Sequence, residues 1–188
     1  LSSGMGVYVN LASGIAIAGV GDTDTLINIE RVRGSQYNDT LLGGNPDFGA
    51  DQFDGRESFR GEAGNDYIDG GAGFDSVEYG SATSGVYVVL GGTGAGFAYD
   101  GQGGIDTLLN IEQINGSYYD DYLVGSDSGE FESFEGQVGN DTIDGKGGID
   151  RVTYFGSRAS VTVNLATGTA TEFTAYGGLT MGTDTLLN

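Results

Sequence analysis

Four aspartates of this chain stand in nearly the same frame. Gly61-Glu-Ala-Gly-Asn-Asp66-Tyr-Ile-Asp69 runs directly into Gly70-Gly-Ala-Gly-Phe-Asp75-Ser-Val-Glu78, and Gly136-Gln-Val-Gly-Asn-Asp141-Thr-Ile-Asp144 runs into Gly145-Lys-Gly-Gly-Ile-Asp150-Arg-Val-Thr153. Each segment follows G-G-x-G-x-D-x-U-x, where U is a large apolar residue. The chemistry such a turn offers is that of a hard cation: main-chain carbonyls plus one carboxylate. Calcium takes about 6–8 oxygens at roughly 2.3–2.6 Å. One turn cannot surround such an ion, but two stacked turns can. Gly61, Gly64, Gly70, Gly73, Gly136, Gly139, Gly145 and Gly148 are expected to supply backbone angles that other residues avoid and to let carbonyls point into the turn.

The first six residues of each segment make a turn and the last three a very short strand, so alternation aims Ile68, Val77, Ile143 and Val152 inward. Two nonapeptides make one coil with a turn on each side. Coils stack at the strand spacing of roughly 4.8 Å, and turns two repeats apart become neighbours. This nominates Asp39 with Asp66, and Asp121 with Asp141, as pairs flanking a metal. Asp75 and Asp150 stack with irregular turns near Glu57 and Glu132, giving incomplete sites. Asp24, Asp106 and Asp184 fit the pattern loosely and rank third. An isolated Asp is an ordinary turn former without any metal; what favours metal here is the full glycine framework and a copy nine residues away.

These turns belong to a larger repeat. Val7-Tyr-Val-Asn-Leu11 returns as Val86-Tyr-Val-Val-Leu90 and Val161-Thr-Val-Asn-Leu165, while Asp24-Thr-Leu-Ile-Asn-Ile-Glu30 returns as Asp106-Thr-Leu-Leu-Asn-Ile-Glu112 and begins again at Asp184. The spacing is 79 residues from Val7 to Val86 and 75 from Val86 to Val161. Residues 1–188 therefore read as a single repeat array, with units at about 7–85 and 86–160 and a partial unit at about 161–188. The slack lies around Gly43 to Arg60, where the first unit has extra residues including Pro46, Asp47 and Asp51. Because the third unit breaks off mid-motif, the chain is expected to be an excerpt of a longer array.

Composition agrees. Glycine is 37 of 188 residues without recurring at every third position, which excludes collagen, and 38% hydrophobic residues in short alternating runs argue against disorder. The fold class expected is all-β: a parallel β-roll or β-solenoid of glycine–aspartate turns, interrupted by longer loops. Lys and Arg total 7 against 27 Asp and Glu, a net charge of −20. Such a chain repels nucleic acid and anionic membranes and resists its own compaction unless cations neutralise it. With no histidine or cysteine, oxygen-seeking calcium is favoured over zinc or copper, and no general base or thiol nucleophile of those types exists. Lys146, in Gly-Lys-Gly, is not part of a phosphate loop. No apolar run of about 18 residues suggests membrane insertion. Catalysis is therefore not expected.

The nonapeptides at Asp66, Asp75, Asp141 and Asp150 resemble the repeats-in-toxin, or hemolysin-type, calcium-binding family of secreted bacterial proteins, and the linking Val-x-Val-Asn-Leu and Asp-Thr-Leu-x-Asn-Ile-Glu segments look like those of its long members. The resemblance implies a parallel β-roll, type I secretion, an extracellular or cell-surface location and folding triggered by calcium outside the cell. It implies a structural module whose partner is calcium, and because open solenoid ends need capping or stacking on a neighbour, further copies of the repeat are expected end to end. An alternative is a calcium-ordered adhesin or carbohydrate-binding module, since Tyr37, Tyr118, Tyr119 and Tyr122 recur at corresponding places and could stack on surface glycans. Only two full nonapeptides occur per unit, so a wider or interrupted solenoid is expected.

Ordering so many glycines is entropically costly and the net charge opposes compaction. Circular dichroism at neutral pH is therefore expected to show a largely unstructured chain in chelator and a strand-rich one in excess calcium; a strand-rich spectrum in both would refute the coupling.

Overall fold

A turn that consumes six of every nine residues leaves three for a strand, and three-residue strands dominate the fold. The computed structural model describes residues 4–19, 21–44, 55–173 and 180–188. Pro46, Asp47 and Asp51, singled out in the long loop of the first unit, lie outside the described residues. Among the described residues every regular element is a strand. The first unit opens with β1 (Tyr8–Asn10), β2 (Ile15–Ala18) and β3 (Asp22–Thr25), then winds through β4 (Arg31–Arg33), β5 (Thr40–Leu42), β6 (Ser58–Arg60), β7 (Tyr67–Asp69) and β8 (Ser76–Glu78). The second opens with β9 (Tyr87–Val89), β10 (Gly96–Tyr99) and β11 (Ile105–Leu109), then winds through β12 (Gln113–Asn115), β13 (Tyr122–Val124), β14 (Ser133–Glu135), β15 (Thr142–Asp144) and β16 (Arg151–Val152). The same opening recurs as β17 (Ser160–Asn164), β18 (Thr169–Phe173) and β19 (Thr180–Leu187).

Successive winding strands alternate between two sheets. One sheet, ordered β4-β6-β8-β12-β14-β16, is parallel throughout. The other contains the parallel runs β1-β5-β7-β11 and β9-β13-β15-β19. Register is kept from coil to coil, so like positions stack. Val9, Leu41, Ile68 and Leu108 form one inward column, and Val88, Leu123, Ile143 and Leu186 another. Val32, Phe59, Val77, Ile114, Phe134 and Val152 face them from the opposite sheet. These columns are the core. Ile68 and Val77 are fully buried and Ile143 nearly so, whereas Val152, on the last strand of its sheet, is only half-buried. The bulk is supplied by Phe59 and Phe134, both fully buried, which sit on β6 and β14, the strands that follow the irregular turns.

The interruptions expected as longer loops are antiparallel hairpins. β10 pairs antiparallel with both β9 and β11, and the sheet runs β7-β11-β10-β9-β13. The chain thus leaves β8, skips two strand positions to lay down β9, and folds back to fill the gap. The order β15-β19-β18-β17 repeats this, and β2 and β3 extend outward from β1 in the same way. The Val-x-Val and Asp-Thr-Leu segments are therefore the first and third strands of one meander, joined by a middle strand whose pairing only the three-dimensional neighbourhood defines.

In excess calcium, Phe59→Ala and Phe134→Ala are each expected to lower unfolding stability by about 3–5 kcal/mol, the usual cost of emptying a well-packed aromatic site. Denaturant melts that moved by less than about 1 kcal/mol would show that this column is not the core.

Candidate metal centre

An acidic residue immediately precedes the parallel-paired stretch of nearly every winding strand: Asp39, Asp66, Asp106, Asp121, Asp141 and Asp184 on one side, and Glu30, Glu57, Asp75, Glu112, Glu132 and Asp150 on the other. Stacking turns these into ladders. The amide of Val7 donates to Asp39 Oδ1 at 2.6 Å, that of Asp39 to Asp66 Oδ1 at 2.8 Å, and that of Asp66 to Asp106 Oδ1 at 3.1 Å. The second unit repeats the series from Val86 to Asp121, Asp141 and Asp184 at 2.9, 2.9 and 3.1 Å. On the other side Glu57 donates to Asp75 at 2.8 Å, Asp75 to Glu112 at 2.9 Å and Glu132 to Asp150 at 3.2 Å. An exposed outer ladder runs alongside, in which the amides of Asn65 and Ile105 donate to the side chains of Asn38 and Asn65.

Each carboxylate in a ladder spends one oxygen on its neighbour, and the second oxygen is the informative one. Asp66 Oδ2, Asp75 Oδ2 and Asp141 Oδ2 are buried without a hydrogen-bond partner. A buried charged oxygen left unpaired is costly. Burial pushes Asp66 and Asp75 up to about 7 and Asp141 up to about 8. Main-chain donors oppose the rise and neighbouring carboxylates add to it: Asp39 and Asp100 act on Asp66, Glu57 and Glu112 on Asp75, Asp121 and Asp184 on Asp141. A cation at these oxygens would reverse that penalty.

The surroundings fit an oxygen-coordinated cation. Among the described residues no three acidic side chains converge into a cage, so most ligands to an ion here have to be carbonyls. The glycines make room for them. A Cβ on Gly61 or Gly136 would collide with the carboxylate of Asp66 or Asp141. The first glycine is thus required for space, not for the unusual backbone angle expected from sequence. Such angles belong to the second and fourth positions. The fourth is Gly64, Gly73, Gly139 or Gly148 with φ of 129°, 149°, 148° or 132°, whereas the second holds Glu62, Gly71, Gln137 or Lys146 with φ of 74°, 85°, 74° or 64°. Three residues with side chains are therefore held left-handed, a conformation that disfavours them.

The expected pairs are brought together: Asp39 stacks on Asp66, Asp121 on Asp141, Asp75 on Glu57 and Asp150 on Glu132. Their environments are not alike. In Asp39, Oδ1 accepts from the Val7 amide and the Ser35 hydroxyl, and Oδ2 from the Ser35 amide. Asp121 is engaged likewise by Val86 and Ser117. Their second oxygens are already used. Glu57 and Glu132 occupy the place of an aspartate, accepting from the amides of Gly44 and Ser126 at 2.7 and 2.9 Å. Asp106 and Asp184 lie in hairpin strands, opposite Ala98 and Ala170, and are buried. Asp24 holds the same register opposite Ala16, but β3 ends the sheet and Asp24 is exposed. The sequence reading missed Glu112 and Asp100. Glu112 was legible as the last residue of Asp-Thr-Leu-Leu-Asn-Ile-Glu immediately before a strand, while Asp100 carried no repeat signal.

Residues 26–57, 54–77 and 133–152 match the family model of the RTX calcium-binding nonapeptide repeat, in 4 copies. The matched segments are similar to the repeats of this family, which bind calcium, and they lie on an all-β fold with the parallel sheets of a β-roll. No curated protein matches the chain.

The raised carboxylates set a pH dependence for the metal-free chain. Their folded pKa values of about 7 to 8 lie above the ordinary 3.8, so the folded state binds more protons, and the stability this contributes is complete below about 3.8 and lost as pH rises through 7 to 8. In chelator, strand content by circular dichroism is expected to grow as pH falls from 8 toward 4. A spectrum independent of pH over that range would count against the buried-carboxylate account.

Proposed function

We propose that this chain is a structural calcium-binding solenoid module of a large secreted or cell-surface bacterial protein, one that folds when it meets calcium outside the cell. The observation that carries the reading is the set of buried, unpartnered oxygens on Asp66, Asp75 and Asp141, each beside glycines that leave room for carbonyl ligands. Asp66, Asp75, Asp141 and Asp150, with the glycines at the first and fourth positions of their turns, are the proposed ligand turns. Asp39 and Asp121 stack beneath them and, with both oxygens bonded to serine turns, shape the coil. The units at about 7–85 and 86–160, with a partial one at about 161–188, are the proposed modular repeat, suited to continuing end to end. Metal that binds only the folded state draws the chain into it by mass action. No residue is assigned a catalytic role.

A second reading, a calcium-ordered adhesin or glycan-binding module, is favoured by one feature. Tyr122 packs tilted against Tyr87 at 5.3 Å between ring centres, and Tyr87 meets Phe97 edge-on at 5.6 Å and stacks with Tyr99 at 6.1 Å, so that Tyr87, Tyr99 and Tyr122 form an exposed aromatic row on the larger sheet. Tyr37, Tyr118 and Tyr119 are also exposed. Binding on a glycan array that is lost in Tyr87→Ala would favour this reading.

The principal test is titration calorimetry of the chelator-treated chain. Calcium is expected to bind saturably and to drive strand formation, while magnesium, which demands near-octahedral geometry and keeps its waters, does neither at equal concentration. The absence of saturable calcium binding would overturn the proposal.

A further inference from the structure

Twice in this fold a hairpin takes the place of a glycine turn, and both times it brings a carboxylate into the ladder from outside the nonapeptide pattern. In the first instance the Asp66 amide donates to Asp106 Oδ1 at 3.1 Å, and the Tyr79 hydroxyl donates to Asp106 Oδ2 at 3.1 Å, so Asp106 is fully engaged. Asp100, the residue after β10, is fully buried. Its Oδ1 accepts from the amides of Gln102 and Gly104, both at 2.8 Å, while Oδ2 has no partner. Asp66 Oδ2 has none either. Gly104 lies beside both turns: a Cβ there would strike the Gly64 carbonyl and come within 2.7 Å of Asp100 Oδ2.

The second instance reproduces the first with different residues. The Asp141 amide donates to Asp184 Oδ1 at 3.1 Å, the Tyr154 hydroxyl donates to Asp184 Oδ2 at 2.8 Å, and Asp141 Oδ2 is left without a partner. Gly182 stands where Gly104 stood, and a Cβ on it would strike the Gly139 carbonyl. Across the hairpin from Gly182, in register, is Glu172, only 4% exposed. Asp100 occupies the matching place, its amide donating to the Gly104 carbonyl at 3.3 Å. Burial together with the charge of Asp184 pushes the Glu172 carboxyl up.

We propose that each junction is a calcium site shared between a nonapeptide turn and a hairpin, with Asp66 and Asp100 as the charged ligands of the first and Asp141 and Glu172 as those of the second. Two carboxylates match the charge of one calcium ion, and the Gly64 and Gly139 carbonyls contribute to the rest of the shell. Asp106 and Asp184 are positioning residues, each pinned by a tyrosine and a main-chain amide. The inference rests on the calcium-binding reading above and moves the ion one coil along from the Asp39–Asp66 and Asp121–Asp141 pairs suggested by spacing. Asp39 and Asp121 offer no free oxygen, whereas the hairpin side does.

Calcium stoichiometry of the whole 188-residue chain, measured by calorimetry and by equilibrium dialysis, tests it. Asp100→Asn keeps the oxygen that accepts from Gln102 and Gly104 but removes the charge; it is expected to lose one calcium equivalent. Glu172→Gln is expected to lose one as well, and the double variant two, whereas Asp39→Asn keeps the full complement. Asp75→Asn, on the other side of the coil, reports the nonapeptide sites separately. Unchanged stoichiometry and affinity in both Asp100→Asn and Glu172→Gln, with Asp75→Asn reduced, would overturn the junction sites and leave the calcium module standing. A wild-type chain that binds no calcium would overturn the module itself. Should Asp100→Asn lack the strand signal in excess calcium, Glu172→Gln at the last hairpin decides by the same criterion.

Discussion

Coil is joined to coil by a buried carboxylate that accepts a main-chain amide from the equivalent place in its neighbour, as in the series Asp39, Asp66, Asp106. This contact sets the register that stacks Leu41, Ile68 and Leu108 inside, and it sets the electrostatic problem as well. Acids stacked at strand spacing repel one another, and each added coil brings another buried charge. A chain of net charge −20 with only 7 basic residues cannot neutralise such ladders from within. Among the described residues the paired basic side chains engage other carboxylates: Arg33 meets Glu62, Arg31 and Arg60 meet Glu78, and Lys146 meets Asp144. A divalent cation beside the unpartnered oxygens of Asp66, Asp75 and Asp141 would relieve both the repulsion and the missing hydrogen bonds.

The two sides of the solenoid handle this differently. In the smaller sheet the strands run without interruption, and most of its ladder positions carry glutamate, whose longer arm reaches across an irregular turn to an amide such as that of Gly44 or Ser126. In the larger sheet the hairpins cut the ladder into groups of three aspartates. Each group begins at a strand preceded by valine, Val7 or Val86, and ends at an aspartate held by a tyrosine. Coils closed by glycine turns and coils closed by hairpins thus alternate along the larger sheet, and both contribute to one core.

The hairpins also give the larger sheet its outward character. Their alternating strands place Ala98 and Ala170 inward, small enough to lie opposite the buried Asp106 and Asp184, and turn Tyr87 and Tyr99 outward into the aromatic row. One segment therefore serves both the acid ladder beneath and the exposed surface above.

The nonapeptide turns, the coil of two turns and the pairing of Asp66 with the Asp39 turn were legible in the sequence, because a glycine frame repeated at a period of nine leaves the backbone few other ways to stack. Inward placement of Ile68, Val77 and Ile143 followed from alternation alone. The hairpins were not legible: Val86–Leu90 and Asp106–Asn110 recur as separate motifs, and only pairing with the intervening Phe97–Tyr99 strand shows that they share a meander. The division of labour among the aspartates was likewise hidden. Asp39 and Asp66 look equivalent by spacing, yet Ser35 fills the oxygens of one, whereas with Glu62 at the same place in the other turn Asp66 Oδ2 has no partner. Composition and period determined that the chain stacks acid-bearing turns. Which carboxylate oxygens remain free to take a cation was decided in three dimensions, because it depends on hydrogen-bond partners contributed by neighbouring coils and by hairpins distant in the chain.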